Sequence, residues 1–264
     1  MTHANAVPLN RRVTAVLAAV SVIGITLFVW PLFVAAEATA AGWRDAPFIF
    51  ALLIGLLLAV AASEVASGGI DAKAIAVLGV LSAVGAALRP LGTGIAGFEP
   101  VFFLLILAGR VFGPGFGFLL GAVTLFTSAL TTAGIGPWLP YQMLAAAWIG
   151  AGAGLLPACS LKWERILLAG YAVIAAFAYG LLLNLSFWPF VIAGDTAISY
   201  VAGAPLLDNL TRFIVFTLVT SLGFDVPRAV LTAVLVLVTA PTVLRVLRRA
   251  ARKAAFHAPM HFQP

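Results

Sequence analysis

The residues of this chain able to bind or react with a small molecule cluster in two short stretches of its middle third. Arg89-Pro90 is followed by Gly97-Phe98-Glu99-Pro100, and further on comes Gly136-Pro137-Trp138-Leu139-Pro140-Tyr141-Gln142-Met143. A guanidinium, a carboxylate, an amide and two aromatics with a hydrogen-bonding edge suit recognition of an organic ligand. Asn184 adds a second amide inside a later apolar run. Glu99 and Trp138 stand at the starts of helices opened by prolines, where free backbone N–H groups and the helix dipole favour anionic groups. The expectation is a ligand site made of Arg89, Glu99, Trp138, Tyr141, Gln142 and Asn184, with Arg89 either a charge partner of Glu99 or a direct contact. The competing role for Glu99 is structural: it complements the helix dipole and pairs with Arg89.

Catalytic and metal chemistry find little support. His3, His257 and His261 all lie in the terminal tails, and Cys159 is the single cysteine, so neither a histidine relay nor a multi-cysteine metal site is available. No Gly-x-x-x-x-Gly-Lys-Ser/Thr occurs, which excludes ATP hydrolysis of the P-loop type by this chain. No aspartate-rich pair suits magnesium and diphosphate chemistry, and acids are too few within the apolar runs for a proton-coupled pump. No catalytic residue, metal or cofactor is expected.

The elements that position these residues must be membrane helices. With 63% hydrophobic and 9% charged residues over 264, the chain is far below the roughly 25% charge of a soluble globule. Its mean hydropathy is +1.13. Apolar runs without period-2 alternation indicate helices rather than barrel strands, since lipid leaves no partner for an unpaired backbone. The runs predict spans over Val13–Ala35, Pro47–Ala62, Lys73–Leu88, Pro100–Phe112, Phe116–Thr132, Pro137–Leu156, Arg165–Trp188 and Arg228–Leu244. The first is read as a retained helix rather than a cleaved signal, for want of a small-residue cleavage site before Trp30-Pro31.

Eight spans place both termini on the cytoplasmic side. Arg11, Arg12, Lys73, Arg110, Lys162, Arg165, Arg245, Arg248, Arg249, Arg252 and Lys253 then lie inside, against Arg44, Arg89, Arg212 and Arg228 outside, in accord with the positive-inside rule. Each outer arginine has an acid near it in sequence: Asp45, Glu99, Asp208 and Asp225. A ninth apolar segment, Leu206–Leu222, would force the basic C-terminal cluster outside if it crossed. It is expected to dip into or lie on the outer face, bounded by Pro205 and Pro227. The net charge of +6 reflects orientation in the membrane, and the tail favours anionic lipid; no nucleic-acid partner is expected.

Small residues carry the remaining signal. Gly109, Gly113, Gly115, Gly117 and Gly121 surround Pro114, predicting a tight turn between two short helices and faces on which backbones can approach closely. Ala72 and Ala76, then Gly79, Ala83 and Ala87, recur every four residues on the preceding helix and form a ladder suited to close contact with another helix.

The central block Gly97-Phe98-Glu99-Pro100-Val101-Phe102-Phe103, Ala108-Gly109-Arg110-Val111-Phe112-Gly113 and Gly136-Pro137-Trp138-Leu139-Pro140-Tyr141-Gln142-Met143-Leu144 resembles the substrate-binding S component of energy-coupling-factor (ECF) transporters, in the form common in actinobacteria. The resemblance spans about Lys73 to Lys253. It implies an all-α polytopic membrane helix bundle in which an extra two-helix hairpin (residues 1–66) precedes a six-helix S-component-like core (67–253) and a tail (254–264). It further implies binding of a vitamin or similar micronutrient from outside, with delivery inward by a transmembrane coupling subunit and two ABC-type ATPases. The family's coupling contact maps to the Ala72/Ala76 and Gly79/Ala83/Ala87 ladder. A stand-alone secondary transporter would be expected to show internal repeats or intramembrane ion-coupling residues, and a membrane enzyme for lipid or isoprenoid substrates a clustered catalytic set. Neither pattern is clear.

Overall fold

The structure is a computed structural model that describes residues 6–7, 10–29, 32, 46–66, 72–92, 95–132, 134–191 and 196–254. Arg44 and Asp45, and the three histidines of the tails, lie outside the described residues. Among the described residues all regular structure is helical: α1 (Arg11–Val29), α2 (Ala46–Ala66), α3 (Ala72–Leu88), a 3-10 turn (Arg89–Gly92), α4 (Val101–Phe112), α5 (Pro114–Thr132), α6 (Leu139–Leu155), α7 (Leu161–Val191), α8 (Leu206–Thr220) and α9 (Leu222–Ala254). The chain is a polytopic membrane helix bundle.

Local signals set the helix ends. The side chain of Asn10 accepts from the Val13 N–H at 2.9 Å and caps α1. Pro90 disfavours helical geometry at Arg89, so α3 tightens there into its terminal 3-10 turn. Gly113, at φ 101°, is the single residue between α4 and α5 and takes a backbone angle that a side chain would strain.

Helix α4 is the hub. Every residue from Val101 to Phe112 except Phe103 is buried, and the helix packs against α3, α5, α6, α7 and α9. At 12 residues it is about 18 Å long, short of the roughly 30 Å hydrocarbon layer. It can be short because protein rather than lipid surrounds it. Eight spans were expected from the apolar runs; five helices among the described residues are both long and apolar enough to cross a membrane: α1, α3 with its 3-10 turn, α5, α7 and α9. The tightest pairing joins α5 to α6. There the glycines do as their spacing predicts, because a Cβ on Gly150 would sit 2.1 Å from the Gly117 carbonyl oxygen.

Helices α7 and α9 run antiparallel along one side of the bundle and exceed their expected lengths. At 31 and 33 residues they measure about 46 and 50 Å. The basic cluster Arg245 to Lys253 is therefore helical, being built of strong helix formers. The apolar segment expected over Leu206–Leu222 is α8, and the span expected from Arg228 begins earlier. Pro205 does cap α8, but α8 stops at Thr220 and α9 begins at Leu222, with Pro227 inside it. The joint is Ser221, whose hydroxyl accepts from the Asn184 amide at 2.5 Å. Helix α8 runs back along the C-terminal part of α7 toward Asn184, with Phe213 and Phe216 on the fully buried Trp188 and Thr217 near Asn184. With 15 residues it is too short to cross a bilayer by itself.

The two expected N-terminal helices pack on the rest. Phe28 of α1 meets Tyr141 and Trp148 of α6, and the Trp148 indole N–H donates to the Ser21 hydroxyl at 3.0 Å. At the end of the bundle holding the α4–α5 turn, Glu164 is fully buried and accepts from Arg110 at 2.8 Å and from Arg248 at 2.6 Å. Arg110 also donates to the Leu156 and Pro157 carbonyls. One carboxylate thus ties α4, α7 and α9 together and, through Arg110, the end of α6.

Candidate functional site

At the opposite end of the bundle, the loop between the 3-10 turn and α4 borders an open cavity of about 570 Å³ lined by Arg89, Glu99, Trp138, Phe98, Thr132 and Phe224 among others. The volume falls in the usual range for a small-molecule pocket. Gly97 brings the loop across to α9. Its φ of 68° and a Cβ position only 2.1 Å from the Phe224 carbonyl oxygen leave room for no side chain.

Arg89 leaves α3 at the 3-10 turn and donates from Nη2 to the Gln142 side-chain oxygen on α6 at 2.8 Å. Glu99, just ahead of α4, does not pair with Arg89. Its Oε2 accepts from Nε of Arg228 on α9 at 2.6 Å. Arg228 also donates to Asp225 Oδ1 at 2.5 Å and to the Ala176 carbonyl. Its guanidinium lies 5.2 Å from the ring centre of Tyr179 on α7, a cation–π distance. The Tyr179 phenol is within electrostatic reach of Glu99, Arg89 and Arg228 alike. Arg228 is buried, and buried charge is tolerated only when compensated; here two carboxylates and a ring face do so.

Of the six residues expected at the site, Arg89, Glu99 and Trp138 line the cavity, and Gln142 holds Arg89 from behind. Tyr141 and Asn184 do not line it. The Tyr141 ring packs edge-on against Phe28 of α1 at 5.0 Å. Asn184 spans the α8–α9 joint, reaching Thr217 and Ser221. The region of Tyr200, Asp208 and Arg212 is a separate structure around Trp188, in which Arg212 donates to the Thr196 carbonyl and Tyr200 stacks edge-on against Trp188. Burial raises the Tyr200 phenol pKa there.

Arg228, Asp225 and Tyr179 are site neighbours that the ligand expectation did not include. The only sequence signal was the three-residue spacing of Asp225 and Arg228 in an apolar helix, which the ion pair bears out.

The arrangement can bind but offers no nucleophile–base pair, and among the described residues no group of three His, Cys, Asp or Glu could hold a metal ion. A second surface stands out on α3. Ala72, Ala76, Gly79, Ala83 and Ala87 are all exposed, while Ala74, Ser82, Gly85 and Ala86 face the bundle. Nothing lies within 4 Å of the position a Cβ would take on Gly79. The ladder thus faces outward, with no partner in the chain among the described residues.

The family model described as "ECF transporter, substrate-specific component" matches residues 73–240. No curated protein and no solved structure matches the chain.

Proposed function

The chain belongs to the family of ECF transporter substrate-specific components, and from that premise we propose that it binds a vitamin or related micronutrient from the outer side of the cell membrane. The observation that carries this reading is the cavity: its charged residues Arg89 and Glu99, and Arg228 behind them, all fall within the matched segment. In the proposed orientation the cavity opens outward, the Arg110–Glu164–Arg248 cluster lies at the cytoplasmic side, and both termini are cytoplasmic. Without a nucleotide site, the chain depends on a transmembrane coupling subunit and two ABC-type ATPases for energy. The exposed small-residue face of α3 supplies the contact with the coupling subunit, because residues without bulk let two helices meet closely in lipid.

The test is uptake into vesicles containing the chain alone, and into vesicles containing it with the coupling subunit and ATPases. ATP-driven accumulation of a member of a vitamin panel only in the complete set supports the reading. Accumulation by the chain alone, driven by an ion gradient, would make it a stand-alone transporter.

A further inference from the structure

The cavity is asymmetric in a way that specifies the chemistry of what fills it. Arg228 is held through Nε by Glu99 Oε2 and through Nη1 by Asp225 Oδ1 and the Ala176 carbonyl, with its guanidinium over the Tyr179 ring. Among the described residues, Arg89, on the cavity wall, has the neutral Gln142 amide as its one hydrogen-bond partner. A guanidinium carries five N–H donors in a planar fork that fits a carboxylate or phosphate two bonds at a time. Most of that fork is unused. Glu99 presents the complementary feature, since Oε1 keeps its acceptor capacity while Oε2 is held by Arg228. The trio of Glu99, Arg228 and Asp225 bears one negative charge in sum, set apart from the positive charge of Arg89. Around these poles stand three aromatics that expose much of their surface, Trp138 at 49%, Phe98 at 36% and Phe224 at 51%. Exposed rings gathered on one cavity are suited to stacking on a flat ligand.

We infer that the ligand is an amphoteric ring compound, with an anionic group read by the free fork of Arg89 and an N–H donor read by Glu99. Its ring lies among Trp138, Phe98 and Phe224. This inference rests on the transport reading above and narrows it to a substrate class.

The experiment is a binding titration of the purified chain with matched pairs that keep a ring N–H or amino donor and differ in the anionic group: pterin-6-carboxylate and pterin, 4-aminobenzoate and 4-aminobenzamide. The expected result is at least one pair in which the acid binds about tenfold or more tightly than its neutral partner, the scale of a charge-assisted bidentate contact. Arg89→Gln removes that preference. Gln142→Glu, which gives Arg89 an internal carboxylate and keeps the side-chain shape, also removes it, and serves if Arg89→Gln does not fold. Equal binding of acid and neutral partner, no acid bound at all, or an undiminished preference in a folded Arg89→Gln or Gln142→Glu protein overturns the inference. Loss of ATP-driven uptake by the complete set of subunits would instead undo the transport reading beneath it.

Discussion

Glu99 pairs with Arg228, 129 positions away, and not with Arg89, ten positions away. The loop before α4 is thereby fastened to α9 at the cavity edge, while Arg89 is left facing the cavity with Gln142 behind it. The same carboxylate braces the fold and contributes to the proposed binding surface.

Glu99→Gln therefore affects both properties. It keeps the side-chain volume but leaves Arg228 with Asp225 as its only carboxylate. Binding of the best ligand of a vitamin panel weakens by about 1–3 kcal/mol, the scale of a lost hydrogen bond to a charged group, and the melting temperature falls as well. Calorimetry and thermal unfolding in detergent measure the two effects. Unchanged affinity with a lowered melting temperature would restrict Glu99 to bracing.

Arg228→Met has a larger effect on folding than any single change to its two acids. It leaves Glu99 and Asp225 near each other with no cation, and breaking such a buried pair costs about 3–5 kcal/mol. Little folded protein is recovered by size-exclusion chromatography, whereas Asp225→Asn, which leaves the Glu99 pair in place, is recovered in quantity. Normal recovery of Arg228→Met would show that the network contributes little to stability.

A single methyl group separates the two kinds of glycine in this chain. Gly150→Ala drives a Cβ into the Gly117 backbone and pries α5 from α6, whereas Gly79→Ala meets open space. Thermal unfolding should show a loss of several degrees in the first and none in the second. Equal melting temperatures would contradict the close α5–α6 approach.

Cysteine labelling checks the proposed orientation. After Cys159 is replaced, a cysteine near Arg252 should react only with reagent supplied from the cytoplasmic side, and one near Asp208 only from outside. Reaction near Arg252 from outside would invert the arrangement.

The apolar runs made the bundle legible, and Gly113-Pro114 marked the α4–α5 turn because that geometry is set by local sterics. The cavity was half legible. Prolines and helix starts pointed to Arg89, Glu99 and Trp138, since these signals act within a few residues. Which way a residue faces around a helix that is apolar on all sides is not written in its pattern, so Tyr141 and Asn184 looked like site residues while serving helix packing and the α8–α9 joint. Arg228, noted only for its nearness to Asp225, and Glu164 were not legible as the centres of ion-pair networks for a related reason. Their partners lie 129 residues away in one case, and 54 and 84 in the other, a separation across which only the tertiary fold decides the pairing. The start of α9 was placed too late, at Arg228, because Pro227 is a conspicuous helix breaker and Ser221 is not, yet a proline is tolerated in a membrane helix when its surroundings satisfy the freed carbonyl.

If this chain works as the binding subunit of a larger machine, co-purification from native membranes tests that role most directly. Tagged wild-type chain should bring down a transmembrane coupling subunit and two ATPases, identified by mass spectrometry. Ala76→Trp and Ala83→Trp, which put a bulky ring on the exposed face of α3, should release all three while ligand binding stays at the wild-type level. Recovery of the chain alone from wild-type membranes, under conditions that keep other membrane complexes intact, would contradict the account.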